Sequence, residues 1–182
     1  MRDHTNLAWV RGVFFFAKRV KEERTMDKVP MTAKGKRDLE EEVRHLRFDE
    51  RPAIINDIAV AREHGDLKEN AEYHAARERQ SFVEGRLKEL DGIISHAEVI
   101  DPSLFTGDAV RFGGNITLAD EDTDEESTYQ IVGANEADIA TGLLSCTSPL
   151  ARALMGKTVG DTVEVTAPGG SKAYEIIEVK FG

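Results

Sequence analysis

Between Thr32 and Ala61 apolar residues recur every third or fourth position, at Leu39, Val43, Leu46, Ile54, Ile55, Ile58 and Ala61. That spacing lays one apolar stripe along a helix. Thr32, after Pro30, is placed to cap its start. Pro52 interrupts the pattern, because an interior proline loses a hydrogen bond and clashes with the preceding turn. A kink or short break is therefore expected near Asp49–Pro52. A second stripe runs through Ala71, Ala75, Phe82, Leu87, Leu90, Ile94 and Ala97. Between the stripes lies Glu63-His64-Gly65-Asp66, in which the glycine ends the first helix and Asp66 is set to cap the next. Two long helices joined by so short a turn pack antiparallel, as a hairpin. About 30 residues at 1.5 Å rise make an arm on the order of 45 Å long. An arm of that kind reaches toward something; it does not enclose a substrate.

Asp101-Pro102 stops the second helix, and the pattern changes to alternation. Period-two runs predict strands at residues 108–112, 128–132 and 162–166. Pro168-Gly169-Gly170 turns the last of these back into a strand over 173–181. Ser148-Pro149 opens a short helix that runs to Met155, and Gly156 closes it. The expected architecture is α+β: residues 26–101 form an antiparallel α-helical coiled-coil hairpin, and residues 102–182 form a small α+β domain.

Charge sharpens this division. The chain has 182 residues, with 24 Lys and Arg against 34 Asp and Glu, for a net charge of −10. A surplus of acid disfavours broad binding to bare nucleic acid or docking on an anionic membrane. Residues 102–182 carry 5 basic and 13 acidic side chains, whereas residues 1–25 carry 6 basic and 3 acidic. Residues 1–25 also hold the single tryptophan, Trp9, and Phe14, Phe15 and Phe16. This leader has neither a secretory cleavage site nor a clean amphipathic face, and is expected to be disordered or non-native. Lys21-Glu22-Glu23 is encodable as a purine-rich ribosome-binding sequence, so translation is expected to start naturally at Met26. A native intact mass that includes Met1 would overturn that expectation. The single cysteine, Cys146, excludes an internal disulfide and fits a reducing, cytoplasmic setting. It reads as a packed, unreactive thiol. The acidic run Asp120–Glu126 reads as a solvated loop.

Candidate chemistry gathers at the arm's turn. Asp66 and Glu69 stand three apart, which on a helix start places both carboxylates on one face. Two such hard ligands can hold Mg²⁺ together with waters and a partner's ligands; equally, they can cap the helix and favour its dipole. Arg62, Lys68, Arg77 and Arg79 surround this point and can form a basic patch for a nucleic-acid strand, with Tyr73 for stacking. The alternative is a solvated helix surface with weak ion pairs, favoured for Arg79. His64 and His74 flank the turn and read as surface residues.

The stretch Ala61-Arg-Glu-His-Gly-Asp-Leu-Lys-Glu-Asn-Ala-Glu-Tyr-His-Ala-Ala-Arg77 resembles the Gre family of bacterial transcript cleavage factors, of the GreA type. So do Pro30-Met-Thr-Ala-Lys-Gly35, Tyr129-Gln-Ile-Val-Gly133, Ser148-Pro-Leu-Ala-Arg152 and the Pro168-Gly-Gly170 turn, in order from Met26 to Gly182. The resemblance implies an FKBP-like C-terminal domain that binds RNA polymerase, with the coiled coil entering the polymerase's secondary channel. It implies that Asp66 and Glu69 help retain Mg²⁺ shared with the polymerase active centre, which then cleaves backtracked RNA. Arg62, Lys68, Arg77 and Tyr73 would contact that RNA near its 3′ end, and Ser148 and Pro149 would belong to the polymerase-docking surface. The factor would be an accessory, not itself an enzyme, and a monomer. Two other readings share parts of the pattern: an inhibitory paralogue using the same channel, and a coiled-coil adaptor with no chemistry at its tip.

Overall fold

The computed structural model describes residues 28–65, 67–167 and 170–182. The leader, Asp66 and the Pro168-Gly169 part of the last turn lie outside the described residues. The arm is rooted in two short strands, β1 (Val29–Met31) and β2 (Ala97–Val99), which pair in parallel. Helix α1 (Ala33–His45) starts at Thr32, whose hydroxyl accepts the Gly35 amide at 2.9 Å. A π-helical turn (Leu46–Glu50) leads directly into α2 (Arg51–Glu63). After the turn at the tip, α3 (Ala71–Ser95) returns to the base.

The break expected near Pro52 takes the form of that π turn. The Arg51 amide donates to the Leu46 carbonyl, five residues back. Pro52 sits in the first turn of α2, where its missing N–H costs least. The sequence phase gives the reason for the wide turn. Leu39, Val43 and Leu46 are spaced four and three, and so are the buried Ile54, Ile58 and Ala61. From Leu46 to Ile54, however, is one residue more than a heptad. Eight residues at 100° overshoot two α-turns by about 80°, whereas seven fall only about 20° short. A π turn absorbs the extra residue and keeps both stripes facing α3.

The core of the arm consists of Met31, Leu39, Val43, Ile54, Ile58, Ala76, Val83, Leu87 and Leu90, with Leu46, Tyr73, Ile93, Ile94 and Ala97 packed beside them. Four positions differ from the predicted stripes. Ile55 is half exposed, and Ala71, Ala75 and Phe82 face solvent, Phe82 at 74%. On α3 the buried series is Tyr73, Ala76, Val83, Leu87, Leu90 and Ile94, a spacing of three, four and seven. It is the heptad seam of a two-helix coil, from which Ala75 and Phe82 lie one residue off. Four arginines cross between the helices: Arg47 to Asp91, Arg51 to Glu84, Arg79 to Glu50 and Asp57, and Arg86 to Glu42. The exposed pairs each contribute about 0–1 kcal/mol and set register more than stability, while the bond of Arg86 to Glu42 is partly buried.

The C-terminal unit is a curled five-stranded sheet in the order β5-β4-β3-β7-β6. Its strands are β3 (Asn115–Asp120), β4 (Glu126–Val132), β5 (Leu143–Ser145), β6 (Thr162–Ala167) and β7 (Gly170–Lys180). All neighbours are antiparallel except β4 and β5. A register shift between β3 and β7 at Thr117/Leu118 increases the curl. The short helix α4 (Pro149–Leu154) caps one end, with Ala151 and Leu154 fully buried among Val110, Phe112, Ile116, Leu118, Ile131, Leu144, Val163 and Ile176. The mixed α+β architecture, a long helical hairpin followed by a small sheet domain, is the one expected.

Residues 108–112 do not form a strand. Val110 and Phe112 point inward as the alternation requires, but Val110 exchanges hydrogen bonds with Lys157 and Gly156 in a loop, and only Ala109 makes a bridge, to Thr158. The Gly113-Gly114 turn ends the segment before a ladder can form. The central strand β3 carries its own alternation, Ile116, Leu118 and Asp120 inward.

Asp120 therefore departs from the solvated loop that follows it. It is buried at the end of β3, and Lys172 on β7 donates to it at 2.7 Å. That ammonium and the Asp122 amide hold its carboxyl below the usual aspartate range. The interaction is therefore fully present above about pH 4, the ordinary value of an unfolded aspartate, and is lost as pH falls through the lowered value. In a thermal-melt series against pH, Asp120→Asn should lower the midpoint at neutral pH, and the difference from wild type should vanish in acid. A constant difference across the series would show that the pair is not the cause.

Candidate functional site at the tip of the arm

The tip is built by the end of α2, a turn and the start of α3. Helix α2 ends at Glu63, and Gly65 takes φ +74°, a left-handed conformation suited to glycine. Leu67, Lys68 and Glu69 then form a turn outside any helix. This corrects the expected cap. Helix α3 starts at Ala71, not near Asp66, and its cap is Asn70, in extended conformation with Oδ1 accepting the Tyr73 amide at 3.0 Å. The same side chain donates through Nδ2 to the Ala61 carbonyl at 2.8 Å, tying the end of α2 to the start of α3. Along the sequence Asp66 is the earlier capping residue and hides Asn70, although asparagine is among the favoured caps and Ala71 opens an uninterrupted helical run.

Asn70→Ala should cost about 1–2 kcal/mol, from loss of the cap and of the bond to the Ala61 carbonyl. Amide exchange confined to residues 61–74 should accelerate while exchange in the sheet stays unchanged. Uniform acceleration over the whole chain would contradict this local role.

Around this turn the structure gathers several of the residues named from sequence. The Arg62 guanidinium lies 5.9 Å from the Tyr73 ring centroid, and His74 meets the same ring edge-on at 5.7 Å. His74 Nε2 is 3.1 Å from the Lys68 carbonyl oxygen. Tyr73 is half buried against the arm's core, so its ring braces the tip as well as facing it. Glu69 is exposed on the turn, with Lys68 beside it in sequence. Arg77 lies on the outer surface further along α3 and donates to Gln80. Arg79 turns to the other flank, toward Glu50 and Asp57, as an ordinary surface ion pair. Asp66, between Gly65 and Leu67, is outside the described residues. Among the described residues no group of three or more His, Cys, Asp and Glu side chains is arranged to hold a metal ion.

Ser148 and Pro149 stand far from the tip in sequence, at the start of α4. The Ser148 hydroxyl caps that helix by accepting the Ala151 amide at 3.1 Å, and Pro149 and Arg152 are exposed beside it. Cys146 is half buried against the sheet core, and burial pushes its thiol up, away from reactivity. No helix among the described residues is long and apolar enough to cross a membrane.

The chain thus presents an exposed charged tip on a two-helix arm, followed by a small sheet domain. Comparison with known proteins identifies its family. Residues 29–99 match the model of the transcription elongation factor N-terminal domain, and residues 106–181 match that of the GreA/GreB C-terminal domain. The chain is 63% identical over 157 residues to transcription elongation factor GreA of Acidiphilium cryptum, covering 86% of this chain and 100% of that protein. It is 62% identical over 156 residues to the GreA of Paracoccus denitrificans, covering 86% and 99%. Among solved structures, GreA factor homolog 1 of Thermus thermophilus aligns with a TM-score of 0.39 at 23% identity, over 84% of this chain and 99% of that one. A GreA/GreB factor of Nitrosomonas europaea aligns at 0.38 and 21%, over 84% and 99%. The chain belongs to the GreA/GreB family of transcription elongation factors, which are accessory factors and not themselves enzymes.

Proposed function

We propose that this factor binds RNA polymerase through its C-terminal domain, extends the arm into the secondary channel, and stimulates the polymerase's own cleavage of backtracked RNA, rescuing arrested complexes. The observation that carries this reading is the placement of Glu69, three residues after Asp66, at the far end of an arm whose α3 alone has 25 residues, about 37 Å of rise. Among the described residues nothing at the tip encloses a substrate. The reacting RNA, and the remaining ligands for a cation, would therefore come from the partner.

Asp66 and Glu69 would hold Mg²⁺ jointly with the polymerase. The donor set fits such sharing: Glu69 is exposed, hard and anionic, and a cation that keeps several waters needs few protein ligands. When bound, Mg²⁺ would supply charge stabilisation and an activated water for phosphodiester hydrolysis. The chain's own residues do the rest. Arg62, Lys68 and Arg77 would offset phosphate charge on the extruded RNA, and Tyr73, braced under Arg62, would support the tip or stack against a base. Ser148 and Pro149, with α4, would form part of the docking surface on the polymerase. With so acidic a C-terminal domain, docking there favours a protein partner over nucleic acid.

The test is a cleavage assay on stalled, backtracked complexes of a bacterial RNA polymerase, with and without the factor. Shortened RNA with a resumable 3′ end is expected only when the factor is present. Binding without added cleavage would instead place the chain with the inhibitory or adaptor readings.

A further inference from the structure

Helix α1 begins with half of a capping box. Thr32 caps the Gly35 amide, but the residue at the third helical position is Gly35 itself, which has no carboxylate to reach back to the Thr32 amide. That carboxylate comes from the other domain. Glu136, 104 residues further on in the loop after β4, accepts the Thr32 amide at 2.9 Å through Oε1 and accepts the Thr32 hydroxyl through Oε2. The same Oε1 accepts the Gly133 amide at 3.1 Å, which pins the carboxylate to its own loop.

Two glycines point to the same contact independently. A Cβ on Gly35 would fall inside the Glu136 carboxylate, and one on Gly133 would fall against the Pro30 carbonyl. Neither glycine has the positive φ that would otherwise explain it. In the first turn of a helix glycine is a poor choice unless a neighbour must come close. Beside the clasp runs a groove of about 450 Å³, lined by Lys34, Asp38, Leu39, Gln130 and Asn135 among others. The base of the arm meets the sheet domain through the clasp, through the close approach of Pro30 to Gly133, and through the connection in which Ile100 packs on the sheet core.

We infer that the Thr32–Gly35–Glu136 clasp, a capping box completed across the two domains, fixes the direction in which the arm leaves the C-terminal domain, making Glu136 a positioning residue. Its consequence for cleavage rests on the proposed function. The lever is long: a pivot of about 10° at the base moves a tip about 37 Å away by about 6 Å. Reacting groups tolerate displacements of only about 1 Å. Loss of the clasp should therefore reduce the chance of productive placement at the polymerase centre without removing any docking residue.

The experiment uses the full chain with Cys146→Ser, spin-labelled at Ser81→Cys on the arm and Glu175→Cys on the sheet. It compares wild type, Glu136→Ala, Glu136→Gln, Gly35→Ala and the Gly35→Ala/Glu136→Ala pair. Glu136→Ala should broaden the distance distribution. It should also lower the cleavage rate at saturating factor by about five-fold, with less than about two-fold change in the half-saturating concentration. Glu136→Gln keeps an acceptor for the Thr32 and Gly133 amides and should restore most of both. Gly35→Ala should mimic Glu136→Ala in the intact chain, yet raise the melting midpoint when Glu136 is already alanine. A narrow, unshifted distribution for Glu136→Ala overturns the inference, as does a Gly35→Ala effect that is the same in both backgrounds. If the wild-type factor stimulates no cleavage, the proposed function fails, while the distance distributions still decide the clasp.

Discussion

Alanine in place of Asp66 or Glu69 should lower factor-stimulated RNA cleavage by about 100-fold or more, with the melting midpoint and polymerase affinity near those of wild type. The size follows from the role: a ligand-held cation contributes several kcal/mol of transition-state stabilisation, and about 2.7 kcal/mol is already 100-fold. The insensitivity of folding follows from structure. Glu69 is exposed and outside the helix, and the cap that starts α3 belongs to Asn70. A merely capping pair would behave in the opposite way, losing stability and keeping cleavage. Single-turnover cleavage of a backtracked complex, with a melt and a binding isotherm on the same preparations, separates the two. Either mutant stimulating cleavage at the wild-type rate would remove the metal role. Raising Mg²⁺ should partly rescue Glu69→Ala if one carboxylate still holds the cation.

A one-residue deletion should have opposite outcomes at two places in the arm. Deleting Phe48, which is 68% exposed in the π turn, together with Pro52→Ala, puts Ile54 seven positions after Leu46. The helix can then run as a regular α-helix with both stripes still facing α3. Its unfolding midpoint should stay close to that of wild type. Pro52 must change as well, because without the wide turn its ring would meet the preceding carbonyl. Deleting Ser81 from α3 instead rotates Tyr73 and Ala76 by about 100° away from Val83, Leu87 and Leu90. Withdrawing each large core side chain costs about 2–5 kcal/mol, on the scale of a small domain's whole stability. The hairpin should then lose its cooperative transition by circular dichroism. Equal damage from the two deletions would mean that the π turn does not serve to absorb a phase error.

Much of this was legible along the chain. Helix existence, the hairpin, the Thr32 cap, the short helix after Ser148 and the last two strands rest on local periodicity and on residues whose preferences act within one turn. Where two near-equivalent local solutions existed, sequence alone chose less well. Ala75 and Phe82 fit a helical stripe as well as Ala76 and Val83 do, and only the partner helix selects the second pair. Asp66 and Asn70 are both good caps, and the bond from Asn70 to Ala61 across the hairpin decides between them. Val110 and Phe112 alternate like a strand, but a strand also requires a ladder that continues along a neighbour. Among the described residues this segment pairs with a neighbour only through the Ala109–Thr158 bridge and the bonds of Val110 to Gly156 and Lys157.

Most helices and strands, the place where the arm turns, and the gathering of charged residues near its tip follow from side-chain period and backbone preference within a few residues. What spans longer distances is set by the folded chain. It placed Lys172 on Asp120, used a π turn to bring two stripes into one phase, and supplied Glu136 to the first turn of a helix 104 residues away. Those outcomes depend on which surfaces come within hydrogen-bonding reach, a property of the folded chain that no local pattern encodes.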